Sequence, residues 1–334
     1  MRLLIVGSTA PWAIELHYIR HFRESGVELE VFDPSHFINY SGLNRVLIRL
    51  GSLAPYRTAN EHLPDTVHRF RPDVVWVFKG IEFKPETLAR IKQQGVKLVN
   101  YNPDHPFIRT AISHGGKNIA ESVPLYDLHF CYSRDLVARI EKEFGIPAAY
   151  LPFGFDLDES VYERVASTEE TLRACFIGNP DPIRARIIRQ LGRSGIPVDV
   201  YGHHWRRFLR NDAHINIFGP VHGDIFWQKI RQYRVQINIF RPHNAGSHNM
   251  RTFEIPAAGG IMLAPDNPEH RSFFEHGREA FFYQSEDEIA GYCREILAMN
   301  AVGHIRENAR KRSVEAGYSY SHRAASALSA IQSV

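Results

Sequence analysis

The stretch RPHNAGSHNMRTFEIPAAGG, residues 241–260, sets Arg251 and Glu254 three residues apart, behind the strand-like run 235–240 and ahead of a glycine pair. A strand that empties into small and polar residues, with a helix starting between His248 and Thr252, leaves the first-turn N–H groups of that helix without intrahelical partners. Donors of this kind, together with the helix dipole, form an anion site. Arg251 adds a fixed charge that can hold a phosphate in a fork. Glu254, one turn further on, can accept from two hydroxyls, as a ribose diol requires. Phosphate beside ribose is what a nucleotide presents. Pro256 is expected near the start of the helix, because deeper it would break the hydrogen-bond ladder. Arg251 and Glu254 also read as an ordinary i,i+3 ion pair on a surface helix.

Three other strand ends carry candidate chemistry. In CFIGNPDPIRARI, 175–187, the Gly178-Asn179 turn lets a phosphate approach the backbone, and Arg184 on the next helix can neutralise it or stay solvated. In NIFGPVHGD, 216–224, a turn at Phe218-Gly219 can pair with the edge of a base or simply join strand to helix. In VNYNPDHPF, 99–107, Asp104 and His105 stand between two prolines, where either can serve as a general base, or where Asp104 caps the next turn and His105 packs. The GSTAPW turn, 7–12, lacks the GxGxxG dinucleotide fingerprint; Ser8 and Thr9 are marked there by position alone. The adjacent histidines of GHHW, 202–205, do not make a metal pair, and no HExxH or DxD-like acidic pair stands at a strand end, so no metal site is expected.

These turns need elements to hold them. Apolar runs at 3–6, 29–32, 74–78, 98–101, 128–132 and 149–151 alternate with helical stretches such as 84–94 and 133–144, the latter with Ser133 as N-cap and Gly145 as its stop. The rhythm restarts at 174–177, 198–201, 215–218, 235–240, 261–264 and 280–283, with helices at 182–194 and 222–233 and consecutive helices over 285–332. Short apolar strands alternating with helices mean parallel sheets covered on both faces. The stretch LPFGFDLDESVYERVASTEETL between the two series reads as a linker, with a hinge near 152–170. Two such sheets place ligands beyond the carboxyl ends of their strands, in a cleft between the domains.

Length and composition agree. The chain has 334 residues, enough for two domains, and is 44% hydrophobic and 23% charged, as a globular enzyme or binding protein is. A net charge of +3 is too small to argue for nucleic acid. Cys131, Cys175 and Cys293 form no CxxC pair, which points away from a zinc site or disulfide framework. The apolar run before Gly7 is too short for a signal-peptide core, and no segment approaches a membrane span, so a cytoplasmic location is expected with peripheral membrane contact left open.

The two α/β domains, the LPFGFD linker and the run NMRTFEIPAAGGIML resemble the GT-B glycosyltransferases, and the YNPDHPF and FIGN…R segments resemble the CgeB-like (spore maturation type) branch. The resemblance covers nearly the whole chain, and its most specific part runs from Arg251 to Gly260. It implies a nucleotide-sugar donor bound mainly by the second domain, 154–318, an acceptor (glycan, protein or small molecule) bound mainly by the first, 1–153, no cofactor and no metal. It also implies a C-terminal helix at about 319–334 that crosses back onto the first domain. Donor contacts fall to Asn179, Arg184, Phe218, Gly219, His248, Asn249, Arg251, Thr252 and Glu254, and catalysis to Asp104 and His105. Related retaining enzymes carry Glu-x7-Glu. Glu254 matches the second glutamate; Gly246 stands where the first would be, with His248 or Asn249 as replacements, and stereochemistry stays open. Two other readings remain: a sugar-nucleotide epimerase on the same fold, and a nucleotide-binding protein without catalysis.

Overall fold

Six apolar runs in the first half of the chain become six parallel strands: β1 (Arg2–Val6), β2 (Glu28–Phe32), β3 (Val74–Phe78), β4 (Lys97–Asn102), β5 (Leu128–Cys131) and β6 (Ala148–Tyr150). This is a computed structural model that describes residues 1–107, 117–211, 213–240 and 246–334. The strands lie in the order β2-β1-β3-β4-β5-β6. The helices between them are α1 (Glu15–Glu24), α2 (Gly42–Arg49), α3 (Arg57–Phe70), α4 (Pro85–Lys92), α5 (Lys117–Ser122) and α6 (Arg134–Phe144). Successive residues of β3 point to opposite faces, as the pleat requires. Val75 and Val77 join Leu4, Val6, Leu63, Leu88 and Leu98 in one core layer. Trp76 and Phe78 join an aromatic layer with Tyr18, Phe22 and Tyr101 on the other.

The second half repeats the plan with β7 (Thr171–Ile177), β8 (Val198–Tyr201), β9 (Ile215–Phe218), β10 (Tyr233–Ile237), β11 (Met262–Pro265) and β12 (Phe281–Tyr283). All pairings are again parallel, in the order β12-β11-β10-β7-β8-β9. Its helices are α7 (Glu159–Ala166), α8 (Pro182–Arg193), α9 (Gly223–Gln232), α10 (Met250–Ala257), α11 (Pro268–Phe273), α12 (Ile289–Ala298) and α13 (Gly303–Glu315). A final helix, α14 (Tyr320–Gln332), packs on α1, where Tyr320 stacks on His17 at 4.4 Å and meets Tyr18 edge-on. The chain accordingly divides into one unit of Met1–Pro152 with Tyr320–Val334 and another of Phe153–Ser319.

Several local expectations are corrected. The 152–170 stretch is not irregular: Glu159–Ala166 is α7, tied into the second unit by Glu159 to Arg310 at 2.5 Å and by Arg164 to Asp224 at 2.7 Å. Strand β10 begins at Tyr233 and ends at Ile237, earlier than its apolar run, and Phe240 lies past its end. Ser133 stands at the N-cap of α6 but its side chain caps nothing, whereas Gly145 ends that helix at φ +65°. The three cysteines are free and buried. Among the described residues no helix is long and apolar enough to cross a membrane.

Candidate functional site

The second sheet reverses direction between β7 and β10, so the connections leaving those two neighbours diverge to opposite faces and open a crevice at their carboxyl ends. The turn after β7 and the segment after β10 meet there. Residues 241–245 of that segment lie outside the described residues; from Gly246 onward it is defined. Helix α10 starts at Met250. Its N-cap Asn249 accepts from the Thr252 N–H at 3.1 Å, and Thr252 Oγ1 accepts from the Asn249 N–H at 3.4 Å, a closed capping box. No described residue accepts from the N–H groups of Met250 and Arg251, which leaves two donors at the helix mouth.

Pro256 sits next to last in this helix and not near its start, which corrects the placement inferred from proline chemistry. Because α10 has only eight residues, a proline this late removes one bond of a ladder that is about to end. The glycine pair closes the helix. Gly259, at φ +66°, donates to Pro256 O at 2.9 Å, and Gly260 donates to Ile255 O at 2.8 Å, the two bonds of a Schellman turn. A Cβ on Gly260 would lie 2.9 Å from Ile230 Cγ2 and from Ile255 Cγ2, so only glycine fits between helix and core.

Arg251 and Glu254 do form an ion pair. It is not the exposed pair of a surface helix: the Glu254 side chain is 9% exposed and that of Arg251 29%. The Arg251 guanidinium also lies over the Phe226 ring at 4.4 Å and donates from Nε to Ile177 O at 3.2 Å. The charge is therefore pinned at the end of β7. Arg184 is differently used. Its Nε and Nη2 donate to Ile239 O at 3.1 and 2.9 Å and its Nη1 to Asn179 O at 3.1 Å, so it ties the β7 turn to the chain after β10. Asn179 Oδ1 accepts from the His203 N–H at 2.9 Å, which joins the β7 and β8 turns.

His248 and Thr252 are fully buried. His248 Nδ1 bonds Glu269 Oε2 at 2.5 Å while its Nε2 accepts from the Phe153 N–H at 3.2 Å. Thr252 Oγ1 bonds His270 Nε2 at 2.9 Å. Burial holds His270 down at about 4, in the neutral form. Asn249 pairs with Asn238 through 2.8 and 3.1 Å bonds. These bonds tie His248, Asn249 and Thr252 into the second unit. Gly246 lies at φ +87°, a conformation that a glutamate side chain would strain.

Phe218 ends β9, the edge strand two places from β7, and its exposed ring stacks on Tyr201 at 4.8 Å. Tyr201 is fixed in turn through Tyr233 to Asp199 by two 2.7 Å bonds. A flat apolar ring thus lies about 10 Å along the sheet edge from β7, two strand spacings away.

In the first unit the crevice falls between β1 and β3, where the strand order also reverses. Sequence reasoning named Asp104 and His105 after β4, yet the group that organises this edge is Lys79, which follows β3 at φ +58°. Its Nζ contacts Asp104 Oδ2 at 2.8 Å. Burial opposes the Lys79 charge, but Asp104, Glu15 and Glu82 around it raise its pKa above the ordinary value. Asp33 accepts from both the N–H and the hydroxyl of Thr9, at 2.7 and 2.6 Å; burial works against its charge, but these bonds and those from Ser35 hold its pKa low. Glu15 accepts from the Ser8 N–H at 3.0 Å. Glu82 is pushed up to about 7, chiefly by burial and then by Glu15 and Asp33 against the pull of Lys79. His105 Nδ1 accepts from the Phe107 N–H at 3.3 Å. Glu15, Asp33 and Glu82 were missed because they lie far apart in sequence, with no spacing to mark them. Among the described residues no group of three or more histidine, cysteine or acidic side chains is placed to hold a metal ion.

Residues 184–329 match the family model described as glycosyl transferase-like. No curated protein matches the sequence. Among solved structures, HepE of Anabaena in complex with UDP-glucose is similar over 100% of both chains at 14% identity, with a TM-score of 0.69. Sucrose-phosphate synthase of Thermosynechococcus elongatus is similar at 12% identity over 100% of this chain and 99% of its own, with a TM-score of 0.72. A putative UDP-N-acetylglucosamine 2-epimerase of Listeria monocytogenes is similar at 13% identity over 99% and 96%, with a TM-score of 0.60. At these identities the likeness is one of fold. The chain therefore has the two-unit Rossmann-like fold of the GT-B class, with a glycosyl transferase-like region from 184 to 329 that contains Arg251, Glu254 and the capped mouth of α10.

Proposed function

We propose that this protein is a glycosyltransferase, of the CgeB-like branch, that moves a sugar from a nucleotide-sugar donor to a hydroxyl acceptor without a metal ion or other cofactor. The observation that carries the reading is the mouth of α10: two amides without acceptors among the described residues, the pinned charge of Arg251 and the carboxylate of Glu254, at the crossover of the second sheet and inside the glycosyl transferase-like region. The donor diphosphate is assigned to the amides and Arg251, the ribose diol to Glu254, and the base to the Phe218-Gly219 edge. Anabaena HepE, of like fold, was solved with UDP-glucose, which favours a uridine nucleotide.

In the reaction the bond from the anomeric carbon to the diphosphate oxygen breaks and a bond to the acceptor oxygen forms. The diphosphate leaves with the electron pair, and preorganised donors at a helix N-terminus stabilise that developing charge. The acceptor is assigned to the first unit, with Asp104 or His105 taking the hydroxyl proton if the reaction inverts.

The test is a thermal-shift series over UDP-, GDP- and ADP-sugars, followed by product analysis with the donor that binds. At a hundred times Kd, ligand stabilises by about 2.7 kcal/mol, a shift of roughly 5 °C or more for a unit of this size. Transfer predicts release of nucleoside diphosphate. A changed sugar nucleotide with no release would establish the epimerase instead, and binding without turnover a protein that only binds nucleotides.

A further inference from the structure

The crevice of the first sheet gathers more carboxylates than the cation beside them can neutralise. Asp33, Glu15, Glu82 and Asp104 follow β2, β1, β3 and β4, four neighbouring strands, and so stand along one edge at their carboxyl ends. Glu15 is 7% exposed and enters the turn after β1; a Cβ on Gly7 would lie 2.8 Å from its Oε1, so only glycine leaves it room. Lys79 acts on Glu15 and Glu82 from a distance, but its Nζ is engaged by Asp104 at 2.8 Å. Glu15, Asp33 and Glu82 make no ion pair among the described residues; Glu15 and Asp33 accept from the Ser8 and Thr9 turn instead. The surplus charge has a consequence at Glu82, which burial and then Glu15 and Asp33 push up to about 7 against the pull of Lys79.

Tyr56 supplies an independent sign of a ligand. It is 7% exposed, and its hydroxyl has no hydrogen-bond partner among the described residues. A buried hydroxyl left unpaired is costly, and native structures rarely keep one without a use. Asn60, one turn into α3, donates to Glu82 O at 2.8 Å and seats the Tyr56 turn against Glu82. The charges that act on the Tyr56 hydroxyl are those of Glu82 and Tyr40, and Tyr40 in turn feels Glu82 and Asp33. The unpaired hydroxyl therefore faces the same carboxylates.

These groups select an ammonium carried on a hydroxylated molecule. Its N–H groups can donate to Asp33 and Glu82 in charge-assisted bonds, and a hydroxyl of the same molecule can pair with Tyr56. The half-exposed ring of Tyr40 offers a π face to the cation. A phosphate or carboxylate would instead meet like charge.

We propose that the β2-β1-β3 edge of the first unit binds an amino-bearing polyol, with its ammonium between Asp33 and Glu82 and a hydroxyl on Tyr56, and that the acceptor is accordingly an amino sugar or amino polyol. Calling this ligand the acceptor rests on the proposed transfer; its binding does not.

The test is calorimetric titration of the full chain, without donor, with glucamine, sorbitol and gluconate, one polyol that ends in an ammonium, a hydroxyl or a carboxylate. Glucamine should bind at least about tenfold more tightly than sorbitol, gluconate should not bind, and added salt should weaken glucamine. A cation favours the ionised carboxylate. Binding at pH 7 should therefore release up to about half a proton, read from the heats in buffers of different ionisation enthalpy, and affinity should rise with pH through this range. Glu82→Gln should abolish the proton release and weaken glucamine about tenfold. Tyr56→Phe should weaken glucamine and sorbitol alike without lowering the melting temperature, because the hydroxyl has no partner to lose. Four results would each overturn the inference: no binding of glucamine, equal affinity for glucamine and sorbitol, undiminished proton release in Glu82→Gln, or ethylamine bound as tightly as glucamine. Titration with nucleotide reads the donor site separately. Donor binding without glucamine binding sinks this inference alone, whereas glucamine binding without any donor upholds the amine site and removes the transfer.

Discussion

Replacing Glu254 by glutamine separates its two roles, because the amide keeps the shape and one acceptor oxygen while it loses the charge. The structural role is its pair with Arg251. Exposed pairs contribute about 0–1 kcal/mol and breaking a fully buried one costs roughly 3–5 kcal/mol. This pair, 9% and 29% exposed, lies between, and Arg251 keeps Ile177 O and the Phe226 ring. With the amide oxygen still able to accept, the loss should be about 1 kcal/mol, or roughly 2–4 °C in melting temperature. The ligand role is larger. A carboxylate that accepts from both ribose hydroxyls makes two charge-assisted bonds, each worth roughly 1.5–3 kcal/mol. The amide keeps one of them as a neutral bond and drops the other, a loss of about 2–3 kcal/mol, or roughly 30- to 150-fold in Kd. Calorimetric titration with the cognate nucleoside diphosphate, beside a thermal melt, reads both quantities. Unchanged affinity with a lowered melting temperature would falsify the ribose assignment and leave Glu254 as the partner of Arg251 alone.

Three further outcomes follow from the same geometry. Asp104→Asn should lower kcat by about 100-fold or more, as loss of a general base does, with donor affinity unchanged; a normal rate would reduce Asp104 to the counter-ion of Lys79. Glu82→Gln should gain stability over wild type as pH rises. The folded carboxyl holds its proton up to about 7 against an ordinary 4.5, so the wild type loses stability between these values and the variant does not. The difference should be absent at pH 4 and reach at most about 3 kcal/mol at pH 8 in paired chemical melts, and a flat difference would refute the raised pKa. Transfer should persist in excess EDTA; activity abolished by the chelator and restored by manganese would mean that a metal takes part.

Much of the fold was written in local patterns. Apolar runs such as VVWVF and LLIV, separated by helices of the right length, specify parallel strands because a sheet covered on both faces needs no polar alternation. The stop at Gly145 was legible because a left-handed residue at a helix end favours glycine. The pairing of Arg251 with Glu254 was already one of the two readings of their spacing.

What the chain could not reveal locally depends on which distant segments meet. His248 and Thr252 are buried although Asn249, Met250 and Arg251 between them are half-exposed; Glu269 and His270, about twenty residues on, bond them. Arg184 became a tie between backbone carbonyls because Ile239 ends up beside it. The Lys79 edge of the first sheet gathers Glu15, Asp33, Glu82 and Asp104 from four separate connections, and only strand order brings them within range of one another. Propensity and patterning act over a few residues and so can be read along the chain. Desolvation and charge coupling depend on distance through space, and tertiary structure alone sets that distance.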